Sequence, residues 1–141
     1  MIQDYLYGAY GSNLNQDQMA RRCPDAKPMG NFALENFRLV FRSVADIEEH
    51  KGSECMIGLW RISKRDLLSL DRYEGYPSLY TKIYQNTPHG LVMLYQMKDR
   101  QYVHPPIDAY LTCISDGFTD FQLDHTKLKD AVMDSYELQT C

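Results

Sequence analysis

The sequence predicts an α+β domain or a small mixed barrel, and three features of the chain support this. Several short segments alternate apolar or aromatic residues with polar ones, which is typical of half-buried strands. Helical segments are inserted between them, and two more follow at the C-terminal end. The chain has 141 residues, which is the usual size of one domain. We therefore expect a single domain over residues 1–141.

In the N-terminal half, strands predominate in the sequence pattern. Asp4–Tyr10 is an aromatic run typical of a strand. A glycine turn then leads to a helix over Gln16–Arg22, for which Asn13 or Asn15 is the N-cap. Further strands are expected over three segments, Phe32–Leu34, Phe37–Phe41 and Cys55–Ile62. The polar and charged segment Ser43–Ser53 is expected to be a loop.

The C-terminal half contains clear helix signals. Ser63 and Asp66 have the spacing of a capping box, which predicts a short helix immediately afterwards. A turn-rich loop is expected over Asp71–Pro77. Two strands and then two helices are expected further along, over Leu79–Gln85, Leu91–Met97, Ile107–Ile114 and Lys127–Ser135. The first of these helices is expected to end near Gly117, and Asp124 is expected to cap the second.

The composition indicates a folded protein and argues against two classes of partner. Hydrophobic residues make up 44% of the chain and charged residues 24%, unlike a disordered protein. The net charge of −4 lacks the positive field that drives most nucleic-acid binding. No apolar run approaches the roughly 18 residues of a membrane-spanning helix. We expect neither a nucleic acid nor a membrane as partner.

The N-terminal residues and the cysteines bear on the compartment. The first residues have neither the basic stretch nor the apolar stretch of a secretory signal peptide. The four cysteines are too far apart for a C-x-x-C motif, at Cys23, Cys55, Cys113 and Cys141. The chain is also large enough to fold without disulfides. We therefore expect a cytoplasmic protein with reduced thiols.

The first candidate for chemistry is Tyr7–Leu14, where a strand, a glycine turn and a helix follow one another. Backbone N–H groups at such a turn and at the helix start point outward, and the helix dipole favours a carboxylate. The segment can therefore bind an anion. It can also be a plain connection between a strand and a helix, because glycine turns are common.

The second candidate is Leu70–Pro77, which places Asp71 and Glu74 among tyrosines. Tyrosine is unusually frequent, with 11 in the chain, and its polar tip suits sites that hold small polar molecules. A carboxyl group beside tyrosine rings can have a raised pKa and act as a general acid or base. In the other interpretation, both acids lie at a solvated helix end and simply face water.

Other kinds of site find no support in the spacing of the residues. The histidines are scattered, and no two of them have metal-ligand spacing. Gly8–Ser12 is neither a P-loop nor a dinucleotide fingerprint, and no serine lies in a G-x-S-x-G motif. Cys55 and Cys113 lie in apolar segments, which favours buried structural thiols. We therefore expect no metal site.

The two candidate segments also carry a resemblance to a known family. Tyr10–Leu14 (YGSNL) after an aromatic strand, with Leu70–Gly75 (LDRYEG) further along, resembles the γ-glutamylcyclotransferase family, which includes AIG2-like proteins. Gly58–Ile62 (GLWRI) resembles the family's strand before the short helix. Pro105–Tyr110, followed by Gly117 and a final helix, resembles its C-terminal segment. The resemblance covers most of the chain in the right order.

The resemblance implies a small mixed β-barrel with flanking helices. It also implies conversion of a γ-glutamyl amine or γ-glutamyl amino acid to 5-oxoproline and the free amine, with no cofactor. Glu74 matches the family's catalytic glutamate, the general acid/base. The positions that match substrate-binding residues are Tyr7, Gly8, Ala9, Tyr10, Gly11, Ser12, Asn13, Tyr95 and Tyr110. The Tyr10–Asn13 loop is expected to hold the glutamyl carboxylate.

Two details refine the match, and two alternatives remain open. Gly8 is less typical of the family and indicates a change in loop shape, whereas Asn13 argues against the glutathione-specific branch. One alternative is a non-catalytic binding or regulatory protein that keeps the same pocket for a carboxylate metabolite. The other is an enzyme that removes a γ-glutamyl group from a larger molecule. Glu74 favours an enzyme, and the leaving amine stays open because it contacts variable loops.

Overall fold

The computed structural model describes residues 4–139 and shows a five-stranded sheet flanked by helices. The elements in chain order are β1 (Asp4–Ala9), α1 (Gln16–Arg22), β2 (Lys27–Arg42), β3 (Val44–Ser63), α2 (Lys64–Glu74), β4 (Tyr80–Thr87), β5 (Gly90–Met97), α3 (Asp108–Asp120) and α4 (His125–Glu137). A single 3₁₀ turn over Ser12–Leu14 precedes α1. The prediction of an α+β fold is confirmed.

The strand order across the sheet is β2-β3-β1-β5-β4. The central strand β1 is antiparallel to β3 and parallel to β5. Within residues 4–139 the outer strands β2 and β4 do not pair with each other, so the sheet is open and does not close into the small barrel that we expected. None of the helices in this part of the chain is long and apolar enough to cross a membrane.

The expectation of a loop over Ser43–Ser53 is wrong, because this segment begins the long strand β3. Two of its acids pair with arginines of the facing strand β2. Arg42 contacts both Asp46 and Glu48 at 2.8 Å, and the Met97 amide donates to Asp46 at 2.9 Å. These two charges, which suggested a solvent-exposed loop, therefore lie in ion pairs across a hairpin, and Asp46 is fully buried.

Among the other differences from the predicted boundaries, three concern one strand and two helices. The two pieces Phe32–Leu34 and Phe37–Phe41 belong to one strand, β2, with a register shift between them. Helix α2 continues to Glu74, so the expected Asp71–Pro77 loop begins only at Gly75. Helix α3 continues past the expected stop at Gly117 to Asp120.

Gly117 is a packing position and not a helix stop. A Cβ atom there would lie 2.6 Å from the Leu14 Cβ and 2.7 Å from the Asn15 amide nitrogen. Helix α3 can therefore lie directly against the turn that follows β1. Leu14 is fully buried at this contact, and burial of a leucine side chain contributes about 1.5–3 kcal/mol. This packing fixes the position of the loop just before Leu14.

The helix caps largely follow the sequence. Ser63 and Asp66 form the predicted capping box, and Asp124 caps α4 by accepting from the Thr126 amide. Helix α1 is capped by Asn15, whose side chain accepts from the Gln18 amide. Of the two asparagines considered for this cap, the other, Asn13, is therefore available for a different role.

Candidate active site

A cavity of about 130 Å³ lies where the loop after β1 meets the end of α2 and the strands β4 and β5. Six of its lining residues are tyrosines, and one is an acid. The lining residues are Tyr7, Tyr10, Gly11, Ser12, Asn13, Val44, Ala45, Tyr73, Glu74, Leu79, Tyr80, Tyr95 and Tyr110. The two segments that carry the candidate chemistry therefore meet in one place.

Glu74 is the last residue of α2, and its carboxyl group faces this cavity. The helix ends there because Gly75 adopts a left-handed conformation, with φ of 64°, which glycine takes up without strain. Burial raises the pKa of Glu74 to about 7, although the Arg22 charge and the hydrogen bond from Asn13 act in the opposite direction. A carboxyl group that titrates near neutral pH suits general acid–base chemistry.

Asn13 connects the loop to Glu74. Its side-chain Nδ2 donates to the Tyr7 hydroxyl at 2.9 Å and to Glu74 Oε1 at 3.1 Å. Its Oδ1 accepts a hydrogen bond from Arg22, and its backbone carbonyl accepts from the Trp60 indole at 2.9 Å. Asn13 is thus held through Nδ2, Oδ1 and its backbone carbonyl, and its amide NH₂ group points toward the Glu74 carboxylate.

The buried tyrosines of the cavity are neutral phenols. Burial raises the pKa of five of them above the ordinary tyrosine value, namely Tyr7, Tyr10, Tyr80, Tyr95 and Tyr110. Three of these donate their own proton within the protein, Tyr10 to the Tyr95 carbonyl, Tyr80 to the Ala45 carbonyl and Tyr95 to Asp71. Apart from Glu74, the cavity wall carries no acidic or basic side chain among the described residues.

Two cavity tyrosines make the opposite kind of contact. Tyr7 accepts a hydrogen bond from Asn13, and Tyr110 accepts one from the Ala45 amide at 3.0 Å. No acceptor for the O–H proton of either phenol is found among residues 4–139. Both can therefore donate a hydrogen bond to a molecule in the cavity.

Asp71 lies one turn before Glu74 but does not line the cavity. Its carboxylate accepts from the Tyr95 hydroxyl at 2.7 Å and pairs with Lys82 at 3.0 Å. It therefore ties α2 to β4 and β5. Asp71 is bound within the protein and Glu74 lines the cavity, so the two acids do not simply face water as one interpretation of the sequence expected.

Of the nine predicted substrate-binding residues, seven line the cavity, whereas Gly8 and Ala9 do not. Successive residues of a strand point to opposite faces. A Cβ on Gly8 would lie within 3.0–3.1 Å of Ile57, Val92 and Leu94, in the core. Ala9 is buried and pairs with Gly58 of β3. In the structure these two residues form the strand that carries the loop.

Sequence reasoning missed several residues of the site. Val44 and Ala45 were missed because their segment was expected to be a loop. Tyr73 directly precedes Glu74, and the tyrosine-rich composition was the available signal for it and for Tyr80. Arg22 lies in α1 behind Asn13 and has no motif of its own. Its contact with the site appears only in three dimensions.

Among the described residues, no cysteine lines the cavity. The described cysteines are free, and burial raises the thiol pKa of Cys23 and Cys55 to about 12, which agrees with structural thiols. Within residues 4–139 no three His, Cys, Asp or Glu side chains are grouped so as to hold a metal ion. That the reaction needs no metal stays a prediction.

Comparison with known proteins supports the family suggested by the motifs. The family model described as Gamma-glutamyl cyclotransferase, AIG2-like, matches residues 7–111. A protein of Bos taurus named Gamma-glutamylcyclotransferase is 31% identical over 133 residues, covering 82% of this chain and 70% of the bovine protein.

Solved structures agree with this match. A structure named Gamma-glutamyl cyclotransferase superimposes with a TM-score of 0.78 at 25% identity, covering 92% of this chain and 86% of its own. The crystal structure of an uncharacterized protein from Homo sapiens also gives a TM-score of 0.78, at 27% identity, with 91% and 86% covered.

The matched segment contains Tyr7, the Tyr10–Asn13 loop, Glu74 and Tyr110, which are the residues that meet at the cavity. The prediction of a γ-glutamylcyclotransferase-type enzyme is confirmed by these matches. The chain belongs to the γ-glutamyl cyclotransferase family of AIG2-like proteins.

Proposed function

We propose that this enzyme converts a γ-glutamyl amine or γ-glutamyl amino acid to 5-oxoproline and the free amine, with Glu74 as the general acid/base. One observation carries the proposal. The Glu74 carboxyl group lies in a tyrosine-lined cavity, hydrogen-bonded to Asn13, with its pKa raised to about 7 by burial. A cytoplasmic site of action and a single domain over residues 1–141 belong to the same proposal and rest on the sequence.

The reaction is an intramolecular acyl transfer. The α-amino nitrogen of the glutamyl group attacks its own γ-carbonyl carbon, and the bond from that carbon to the leaving amine breaks. Glu74 accepts a proton from the α-ammonium group, so that the neutral amine can attack, and a second proton leaves the same nitrogen as it becomes the lactam N–H. Glu74 passes both protons in turn to the leaving nitrogen, which departs as an ammonium group, so no net proton is consumed. Before the reaction, the ionised Glu74 also pairs with the positively charged α-ammonium group.

Orientation of the glutamyl chain contributes to the remaining rate enhancement. The amine and the carbonyl already belong to one molecule, so a hold on the α-carboxylate helps by keeping the chain in the conformation that brings them within reacting distance. We assign this hold to the Tyr10–Asn13 loop, of which Gly11 and Ser12 line the cavity. Backbone N–H groups there can approach a carboxylate closely, because Gly11 has no side chain.

Tyr7 and Tyr110 are the proposed phenol donors to the substrate. In each, the phenol oxygen accepts a hydrogen bond from a neighbour inside the protein. The O–H proton of each phenol is therefore available for donation to a bound molecule. A neutral phenol can donate to the carbonyl oxygen as negative charge develops there. Tyr95 and Tyr10, which donate within the protein, are proposed to shape the pocket beside the substrate.

The proposal is tested by a screen for 5-oxoproline release. Purified enzyme is incubated with a panel of γ-glutamyl amines, γ-glutamyl amino acids and γ-glutamyl conjugates of larger amines, and 5-oxoproline is measured by mass spectrometry. We expect release from at least one class, and release that is slower by about 100-fold or more in the Glu74→Gln variant. Binding of these compounds without release would support the non-catalytic alternative and contradict the proposal.

A further inference from the structure

Arg22, the last residue of α1, reaches two parts of the cavity wall without lining the cavity. Its guanidinium group donates one hydrogen bond to Asn13 Oδ1 and another to Gln18 Oε1. Its central carbon also lies 3.5 Å from the centre of the Tyr73 ring, a cation–π contact. The group is thus held against both the loop and the end of α2.

The contact with Asn13 determines which way the asparagine amide faces. A guanidinium group has donors only, so it can bind the oxygen end of the amide but not the nitrogen end. With Oδ1 bound to Arg22, Nδ2 must face Tyr7 and Glu74, as observed. A reversed amide would turn its oxygen toward the Glu74 carboxylate and its NH₂ group toward the guanidinium, and both contacts are unfavourable.

Arg22 is also the cation that faces Glu74. The titratable side chains around Glu74 come from several elements and are phenols. They are Tyr7 of β1, Tyr10 directly after β1, Tyr73 of α2, Tyr80 of β4, Tyr95 of β5 and Tyr110 of α3. The nearby acid of α2, Asp71, pairs with Lys82. Among the described residues, Arg22 therefore provides the charge that offsets the burial of Glu74.

We propose that Arg22 is a positioning residue, which holds the Asn13 amide toward Glu74 and keeps the Glu74 carboxylate available at neutral pH. This inference rests on the proposed function, in which Glu74 is the acid/base. Without Arg22, the Asn13 amide is free to turn and the opposing charge is lost. Both changes favour the protonated form of Glu74, so its pKa rises.

A direct titration tests this without relying on activity. The side-chain carboxyl carbon of Glu74 is followed by ¹³C NMR in glutamate-labelled protein, with the resonance assigned from Glu74→Gln. We expect Arg22→Met to raise the titration midpoint by about one pH unit or more, the range that a nearby opposite charge produces. Arg22→Lys, which keeps the charge, should recover part of the shift. Arg21→Met, an exposed neighbour in the same helix, should titrate like the wild type.

The kinetic readout uses the best substrate from the screen. Arg22→Met should move the acidic limb of the kcat/KM profile to higher pH and lower kcat about fivefold at pH 7, because a shift of one unit from a pKa of about 7 reduces the ionised fraction of Glu74 from about one half to about one tenth. KM should change less. Arg22→Met and Asn13→Ala should be strongly non-additive in the double variant, because one acts through the other.

The outcomes separate this inference from the proposed function. An upward shift in the NMR titration of a protein that releases no 5-oxoproline would support the role of Arg22 and contradict the cyclotransferase proposal. An Arg22→Met protein with the wild-type titration and pH profile would overturn the role of Arg22. If Arg22→Met does not fold, Arg22→Gln replaces it, and a wild-type titration in that variant overturns the inference equally.

Discussion

Asn13 donates a hydrogen bond to Glu74 across 3.1 Å. This contact joins the loop after β1 to the end of α2, two segments that lie far apart in the sequence. Because the same amide nitrogen also donates to Tyr7, Asn13 organises both the acid and one of the phenols of the cavity.

Replacement of Asn13 should impair the reaction more than the fold. Asn13→Ala removes a hydrogen bond that lowers the pKa of Glu74, so the acidic limb of kcat/KM should move to higher pH. A hydrogen bond to a charged group is worth about 1.5–3 kcal/mol, which corresponds to a roughly 10- to 100-fold loss of kcat/KM. Asn86→Ala, at an exposed position of β4, is the control. An unchanged pH profile in Asn13→Ala would contradict the role of this contact.

Glu74 should reduce stability at alkaline pH. Its pKa is raised from 4.5 to about 7 in the folded protein, so between these values the folded state binds more protons than the unfolded chain. The contribution of Glu74 to the free energy of unfolding is therefore complete below about pH 4.5. It is lost as the pH rises through 7, and the loss is on the order of 3 kcal/mol.

This penalty disappears in Glu74→Gln, because glutamine does not ionise. Thermal melts of the variant and the wild type should be compared at pH 5 and pH 8. We expect the melting temperature of the variant, relative to the wild type, to be several degrees higher at pH 8 than at pH 5. Parallel behaviour of the two proteins across this range would show that Glu74 is not held in a desolvated environment.

Tyr110→Phe should reduce activity at a small cost in stability. The phenol accepts a hydrogen bond from the Ala45 amide, and loss of that contact should cost about 1 kcal/mol of folding free energy. Loss of the donor to the substrate should lower kcat/KM roughly tenfold. Tyr84→Phe, at a tyrosine that is 57% exposed, should leave both quantities unchanged. Full activity in Tyr110→Phe would remove this residue from the site.

Asp71→Asn should affect stability more than chemistry. The change weakens the hydrogen bond from Tyr95 and the ion pair with Lys82, and we expect a loss of about 1–3 kcal/mol in unfolding free energy. The kcat/KM value should stay within a few-fold of the wild type, because Asp71 does not line the cavity. Urea unfolding and the 5-oxoproline assay measure the two effects, with the exposed Asp130→Asn as control. A stable but inactive Asp71→Asn protein would reverse the assignment.

Local patterns were sufficient to predict most elements of the fold. The capping box at Ser63 and the Asp124 cap each mark a helix start that the structure contains. The prediction of a loop over Ser43–Ser53 was wrong because Asp46 and Glu48 pair with an arginine of another strand. A local sequence pattern does not indicate such pairing. Gly117 was misread for a similar reason, since a glycine that admits a neighbouring loop looks the same in sequence as one that ends a helix.

The candidate site was predicted where a motif marks it. Asn13 and Glu74 were identified from their segments, and both line the cavity. Arg22 contacts Asn13 and Tyr73 in the folded protein, and no periodicity or spacing in the sequence indicates these contacts. Residues that orient others depend on tertiary packing, so the sequence could not predict this part of the site.

The central claim is that Glu74 transfers the proton in the cyclisation, and the most direct test is the rate of 5-oxoproline release by wild type and Glu74→Gln. Glutamine nearly preserves the shape of the side chain but cannot accept the proton, so the variant should fold and lose kcat by roughly 10²–10⁴-fold, the range of general acid–base catalysis. The wild type should also show an acidic limb in kcat/KM near pH 7, where Glu74 titrates. A folded Glu74→Gln enzyme with turnover close to the wild-type rate would contradict the account.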